Sequence, residues 1–94
     1  MKIKIKGYLL FKNTIGEQIL TLNDNEKITL WELLVRLSLG HELDNSLYHA
    51  EPRVVDSRVI VLVNGRNHSR LTNRLDTVLV DKDEIAIFPP MAGG

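Results

Sequence analysis

The residues with the most distinctive chemistry stand at the end of the chain, which reads Phe-Pro-Pro-Met-Ala-Gly-Gly from Phe88 to Gly94. Glycine lacks a Cβ, so a Gly-Gly backbone can enter a channel too narrow for other residues. Pro89 and Pro90 fix φ and favour an extended chain. The pattern predicts a stiff stalk and a slender tip, which reaches about 20 Å beyond Pro89 and carries the terminal carboxyl carbon. An ordinary frayed terminus is the alternative.

Composition limits the classes of function that this chain can have. The 94 residues predict a single domain, and the 12 basic and 12 acidic side chains cancel; no overall field then favours nucleic acid or a membrane surface. The absence of cysteine excludes disulfides, a thiolate nucleophile and cysteine-ligated zinc. Residues 2–6 alternate between lysine and isoleucine, which is not the pattern of a signal peptide. The aliphatic run Val59–Val63 is too short to span a membrane. We expect a cytoplasmic protein without nucleic-acid or membrane partners.

Two strands are predicted in the first part of the chain. Apolar residues alternate with Lys2, Lys4 and Lys6, which predicts a half-buried strand whose apolar face carries Ile3, Ile5, Leu9 and Phe11. Gly7 is a candidate bulge or twist point. Residues 17–22 predict a second strand, joined to the first through a turn at residues 13–16.

A helix is predicted to follow. Thr29 and Glu32 form a capping box, and the apolar stripe continues from it through Leu30, Leu33, Leu34 and Leu37. Gly40 is predicted to end the helix in a left-handed conformation. In the less legible segment 41–58, the spacing of Leu43 and Leu47 favours a short second helix that ends at Glu51-Pro52.

The last third of the chain predicts a hairpin and a final strand. Val59–Val63 and residues 66–71 flank Asn64-Gly65, which supplies the two positive φ angles of a type I′ turn. Leu75, Val78 and Leu79 are core candidates. A turn at residues 81–83 then leads into a strand at Glu84–Phe88. This order predicts an α+β protein with one sheet crossed by one helix.

The final strand has two different faces. If Ile85 and Ile87 pack under the helix, Ala86 and Phe88 lie on the uncovered face beside the exit of the tail. An exposed apolar patch at this position predicts a docking surface. The alternative is that Phe88 belongs to the edge of the core.

These features together resemble one family. The order of elements, the hairpin at residues 61–65, the turn Asp81-Lys82-Asp83-Glu84 and the ending Phe-Pro-Pro-x-x-Gly-Gly resemble the β-grasp, ubiquitin-like sulfur carriers of the MoaD/ThiS superfamily, most closely the MoaD-type small subunits of molybdopterin synthase. The resemblance implies a mixed sheet of about four or five strands crossed by one main helix. It implies a β-grasp domain at 1–88 and a flexible tail at 89–94. Lys82 departs from the usual Asp-Gly-Asp-Glu turn.

The resemblance also implies a function. The Gly94 carboxylate would be adenylated by a MoeB/ThiF-type, ubiquitin-activating-like enzyme that consumes ATP, and then converted to a thiocarboxylate. The chain itself would be non-catalytic, with no permanently bound cofactor and no metal. Its tail would thread into a MoaE-type large subunit, with docking by Phe88 and Ala86; the threading residues would be Pro89, Pro90, Met91, Ala92 and Gly93.

Other functions share this ending and stay open. They are sulfur carriage for thiamine or tRNA thiolation, and a protein modifier joined to target lysines through Gly94. A free-standing metal protein is not indicated, because His41, His49 and His68 are too scattered to form a recognisable ligand motif.

Overall fold

The computed structural model describes residues 1–41 and 47–89. Leu43 and residues 90–94 therefore lie outside the described residues. The elements are β1 Lys2–Gly7, α1 Phe11–Thr14, β2 Glu17–Thr21, α2 Leu30–His41, β3 Tyr48–Ala50, β4 Arg53–Val55, β5 Ile60–Val63, β6 Arg66–Asn67 and β7 Glu84–Phe88. Short 3₁₀ turns at His68–Arg70 and Arg74–Asp76 connect β6 to β7.

The main sheet has five strands in the order β2-β1-β7-β5-β6, and β3 pairs with β4 separately. The pairing of β1 with β7 is parallel, whereas β7 is antiparallel to β5. The strand that comes last in the described chain therefore lies in the middle of the sheet, with a neighbour on each side. This architecture confirms the predicted α+β sheet with one main helix.

Helix α2 covers one face of the sheet. Its capping box forms as predicted: the Thr29 N–H donates to Glu32 Oε1 at 3.2 Å, and the Glu32 N–H donates to Thr29 Oγ1 at 3.2 Å. The predicted leucine stripe is buried with the inward residues of β1, β5 and β7 in one core. Gly40 does not end the helix, because α2 continues to His41 and Gly40 does not adopt a positive φ. Glycine permits a left-handed conformation but does not impose one.

The connection from β1 to β2 differs from the prediction. Phe11 is buried, but it begins α1 rather than continuing the strand, and Leu9 is exposed in the turn before it. Gly7 permits this close approach of α1, because a Cβ there would stand 2.5 Å from the Phe11 carbonyl oxygen. Gly16, with φ 64°, then starts the return into β2, which ends at Thr21.

Two further predictions were wrong in part. Residues 48–55 form the β3–β4 hairpin rather than a helix, and Leu47 before it is buried in the core. Val78 is 49% exposed, while Leu75 and Leu79 are buried as predicted. Val78 makes an isolated bridge to Thr29, so its side chain alternates outward where that of Leu79 points inward.

The hairpin turn is confirmed, since Asn64 has φ 52° and Gly65 has φ 83°. Its second strand is shorter than predicted, because the chain turns into a 3₁₀ helix at His68. Lys82, in the turn before β7, adopts a positive φ of 71°.

Candidate functional site

The root of the C-terminal segment is held by the middle strand of the sheet. Ile85 and Ile87 of β7 are fully buried under α2, so this strand is anchored on its inner face and along both edges. Phe88 ends the strand, and Pro89 after it is buried. The sheet and the core therefore hold the last described residues of the chain in place.

The residues predicted to thread into a partner lie almost all outside the described residues: Pro90, Met91, Ala92, Gly93 and Gly94. Their roles stay predictions, as does the boundary between the domain and a tail that begins at Pro89.

The sheet face opposite α2 carries a strip of apolar side chains. Ala86 and Phe88 are half-buried on this face, which confirms the predicted division of β7 into two faces. Leu62 pairs with Ala86 and Ile60 pairs with Phe88, and Ile60 is 46% exposed. The strip thus extends over two neighbouring strands and ends at the root of the C-terminal segment.

Tyr8 belongs to this surface, although the sequence analysis did not identify it. Its ring stacks on that of Phe88, with the centroids 4.4 Å apart and an interplanar angle of 10°. The Tyr8 N–H donates to the Ile87 carbonyl at 2.9 Å, which continues the pairing of β1 with β7. Lys6 Nζ lies 5.0 Å from the centre of the Tyr8 ring. We call Tyr8, Ile60, Leu62, Ala86 and Phe88 the apolar strip.

Lysine side chains border the apolar strip. Lys2, Lys4 and Lys6 project from β1 on the same face and are exposed. Lys4 Nζ lies 3.5 Å from Glu17 Oε1 of β2. Glu17 and Glu84 pair with Lys6 and Lys4 on the neighbouring strands, so the open face combines an apolar centre with a border of lysine and glutamate side chains.

A second polar cluster lies just before β5, at the end of the sheet where Ile60 pairs with Phe88. The buried Asp56 carboxylate accepts bonds from the Arg58 backbone N–H at 2.9 Å and from Arg58 Nε at 3.2 Å. His49 Nε2 lies 3.0 Å from the other carboxylate oxygen. The hydrogen bonds from Arg58 lower the pKa of Asp56 to about 2. This cluster ties the β3–β4 hairpin to the start of β5.

Other kinds of site find little support in the described part of the chain. Within residues 1–41 and 47–89, no three His, Asp or Glu side chains lie close enough together to hold a metal ion. None of the helices in these residues is long and apolar enough to cross a membrane. A groove of about 650 Å³ lies between β4 and residues 68–76. His68 lines this groove, and burial lowers the pKa of its side chain. No residue of the apolar strip lines this groove.

Comparison with known proteins identifies a matching family and a similar protein of full length. Residues 12–94 match the model of the ThiS family. The chain is 28% identical over 95 aligned residues to small archaeal modifier protein 3 of Haloferax volcanii, and the alignment covers 100% of both proteins.

Solved structures with the same fold are also known. The solution structure of small archaeal modifier protein 1 from Methanosarcina acetivorans has a TM-score of 0.76 at 25% identity, with 99% of this chain and 96% of that chain covered. The structure of a putative molybdopterin converting factor, subunit 1, from Pyrococcus furiosus has a TM-score of 0.66 at 24% identity, with 96% and 98% covered. The second likeness is one of fold alone. Together they confirm the ubiquitin-like β-grasp fold.

Proposed function

The chain belongs to the ThiS family, and on this premise we propose that it is a sulfur carrier whose Gly94 carboxylate is adenylated and then converted to a thiocarboxylate. One observation carries the proposal. The middle strand of the sheet leads directly into the Pro-Pro-Met-Ala-Gly-Gly segment, and its root is fixed by the stacking of Phe88 on Tyr8. The fold serves to present the end of the chain.

The chemistry explains why the chain needs an activating enzyme. A carboxylate is a poor electrophile, because its leaving group would be oxide. Adenylation by ATP releases pyrophosphate and leaves an acyl-adenylate, from which AMP departs when the terminal sulfur of a persulfide donor attacks. A thiol then attacks the donor's inner sulfur, which breaks the S–S bond, releases the thiocarboxylate and leaves a disulfide. The chain contributes positioning, while the catalytic side chains and the bound ATP belong to the MoeB/ThiF-type partner. We propose that the carrier is non-catalytic, holds no permanent cofactor and acts in the cytoplasm.

We propose molybdopterin as the destination of the sulfur. In this function the chain is the small subunit of molybdopterin synthase, and its segment from Pro89 to Gly94 enters a channel of a MoaE-type large subunit. The apolar strip provides the docking energy. Ordering a tail residue costs about 1–2 kcal/mol, and burial of the exposed apolar area of Phe88 and Ile60 offsets part of that cost.

A second candidate is a modifier joined to lysine side chains through Gly94. The full-length similarity to a protein named as a small archaeal modifier favours it. Both functions begin with adenylation of the same carboxyl group, so they differ only in the acceptor.

The intact mass of the protein purified from its native cells tests the carrier function. We expect a fraction in which sulfur replaces one terminal oxygen. A variant with one residue added after Gly94 should fold like the wild type and lose sulfur transfer, whereas the same residue inserted in the exposed turn at Asn25 should preserve it. Sulfur transfer by the extended variant would contradict the proposal. Peptides from target proteins with a lysine linked to Gly94 would support the modifier function, and co-purification of a large subunit would support molybdopterin.

A further inference from the structure

The groove between β4 and residues 68–76 is bordered by the free edge of a strand. Within residues 1–41 and 47–89, β4 pairs with β3 alone, so its other edge is not covered by a strand. Residues 53–55 of β4 line the groove, whereas none of the lining residues belongs to β3. The uncovered edge of β4 therefore faces the groove.

The peptide group of Val54 lies on this edge. A two-residue turn joins β3 to β4, and Ala50 pairs with Arg53 across it. The pair that flanks such a turn exchanges hydrogen bonds and the next pair does not. His49 and Val54 form that next pair, so the Val54 N–H and C=O point away from β3. No described residue outside the hairpin forms a backbone hydrogen bond with Val54. The edge can therefore bind an extended segment as a third strand.

Arginine side chains surround the groove. Arg53 and Arg74 line it. Arg66 and Arg70 line a second recess of about 560 Å³, which shares one lining residue with the groove. Among the described residues that line the two, Asp76 is the only acidic one. The basic and acidic side chains of the whole chain balance, so the excess of positive charge is a property of this surface.

The two arginines of the groove have N–H groups available for a ligand. Arg53 donates to Asp76 through one nitrogen, Nη2, and its guanidinium lies 5.3 Å from the centre of the Trp31 ring. Because a guanidinium carries five N–H donors, Arg53 is held in place with further donors free. Arg74 is exposed and forms no ion pair with a described residue. Both side chains can therefore receive a carboxylate.

The lining favours a polypeptide over a nucleic acid. No phenylalanine, tyrosine or tryptophan is among the described residues that line the groove and the second recess. Proteins that bind single-stranded nucleic acid stack the bases on such rings. A free strand edge, in contrast, is specific for an extended polypeptide, because it binds through backbone N–H and C=O groups. The positive charge beside the edge then favours a polypeptide with acidic side chains.

We propose that an extended, acidic segment of a partner protein binds in this groove. The segment adds a third strand to the free edge of β4, where it pairs with the Val54 backbone, and its carboxylates contact Arg53 and Arg74. The groove shares no residue with the apolar strip. The inference therefore goes beyond the sulfur-carrier function and does not depend on the chemistry of Gly94.

The test is an NMR titration of the full-length protein with a synthetic six-residue peptide in which glutamate alternates with threonine. The largest changes in amide chemical shift should occur at Val54 and at residues 72–76. Hydrogen exchange of the Val54 N–H should slow in the bound state, because strand pairing protects an amide from solvent. A Kd on the order of 1 mM is expected for so short a peptide. The same peptide with lysine in place of glutamate should not bind.

Arg74→Gly tests the charge without a cost to the fold. Arg74 has φ 46°, which glycine adopts readily, so the melting temperature should equal or exceed that of the wild type. The Kd of the acidic peptide should rise by about twofold to fivefold, as expected for the loss of one exposed ion pair. Arg36→Ala is the matched control. Arg36 is an exposed arginine on α2 that lines neither the groove nor the second recess, so its Kd should match that of the wild type.

Several outcomes would overturn the inference. Absence of shifts at Val54 with millimolar acidic peptide would show that the groove does not bind such a segment. Equal binding of the lysine peptide would remove the role of the arginines. An unchanged exchange rate of the Val54 N–H in the bound state would rule out strand addition. Binding of a uridine hexanucleotide at these residues, without binding of the peptide, would assign the surface to nucleic acid instead.

Discussion

Tyr8 and Phe88 stack face to face with their ring centroids 4.4 Å apart, and this contact joins the end of the first strand to the end of the last described strand. The two residues become neighbours because β1 and β7 are parallel, so both strands end at the same edge of the sheet. The stack holds the end of β7, next to Pro89, against the end of β1.

The contribution of the stack to stability should be measurable as a coupling free energy between the two rings. Tyr8→Ala and Phe88→Ala should each lower the free energy of unfolding by about 1–3 kcal/mol, and their double-mutant cycle should give a coupling of about 0.5–1.5 kcal/mol. Urea unfolding of the four proteins measures both quantities. Tyr8→Phe keeps the ring and should behave like the wild type. Additive effects of the two alanine substitutions would show that the rings do not interact in solution.

Gly7 should tolerate no side chain. In Gly7→Ala the new Cβ would stand 2.5 Å from the Phe11 carbonyl oxygen and 2.8 Å from the Ile15 Cβ, so α1 or β1 must shift. We expect a loss of about 1–3 kcal/mol in the free energy of unfolding. Gly40→Ala is the control, because its Cβ would meet nothing within 4 Å in a helical backbone. It should stabilise the protein by about 0.5–1 kcal/mol. Equal effects of the two substitutions would contradict this account.

Asp56 should make stability depend on acidic pH. Its pKa is lowered from 3.8 to about 2, first by the hydrogen bonds from the Arg58 side chain and backbone. A depressed pKa in the folded state contributes stability that is fully present above the unfolded pKa and is lost as pH falls through the folded value. The free energy of unfolding should therefore decline between pH values near 3.8 and 2.

Chemical denaturation across this pH range checks the contribution of Asp56. Asp56→Asn should be less stable than the wild type at neutral pH, and the difference should shrink as pH falls. Asp24 is exposed and its carboxylate lacks the buried hydrogen bonds of Asp56, so Asp24→Asn serves as the control and should leave the pH profile unchanged. A constant difference between Asp56→Asn and the wild type at every pH would refute the role of the carboxylate charge.

Lys82 should be a position where substitution stabilises the fold. Its φ of 71° is disfavoured for a residue with a Cβ, and its side chain is exposed. Lys82→Gly should raise the free energy of unfolding by up to about 1 kcal/mol, the relief of strain less the greater chain entropy of glycine. Thermal melting measures the change. Lys27→Gly removes an exposed lysine at a position without positive φ and should not stabilise the protein.

Features that rest on neighbouring residues in the chain were predictable from the sequence. The capping box at Thr29 and Glu32 and the positive φ angles at Asn64-Gly65 are local, so a few residues suffice to specify them. Alternation within β7 likewise determined that Ile85 and Ile87 share one face. The Gly93-Gly94 motif is likewise evident from the sequence alone, because residue type and order define it.

The tertiary structure decided what depends on which elements become neighbours. The contact of Tyr8 with Phe88 requires the pairing of the first strand with the last described strand, which no short segment encodes. The exposure of Leu9 arises because α1 packs onto Gly7 and cuts the predicted strand short. The periodicity of the sequence indicates on which face of a helix or strand a side chain lies. Only packing between distant elements determines where that element ends and what its side chains contact.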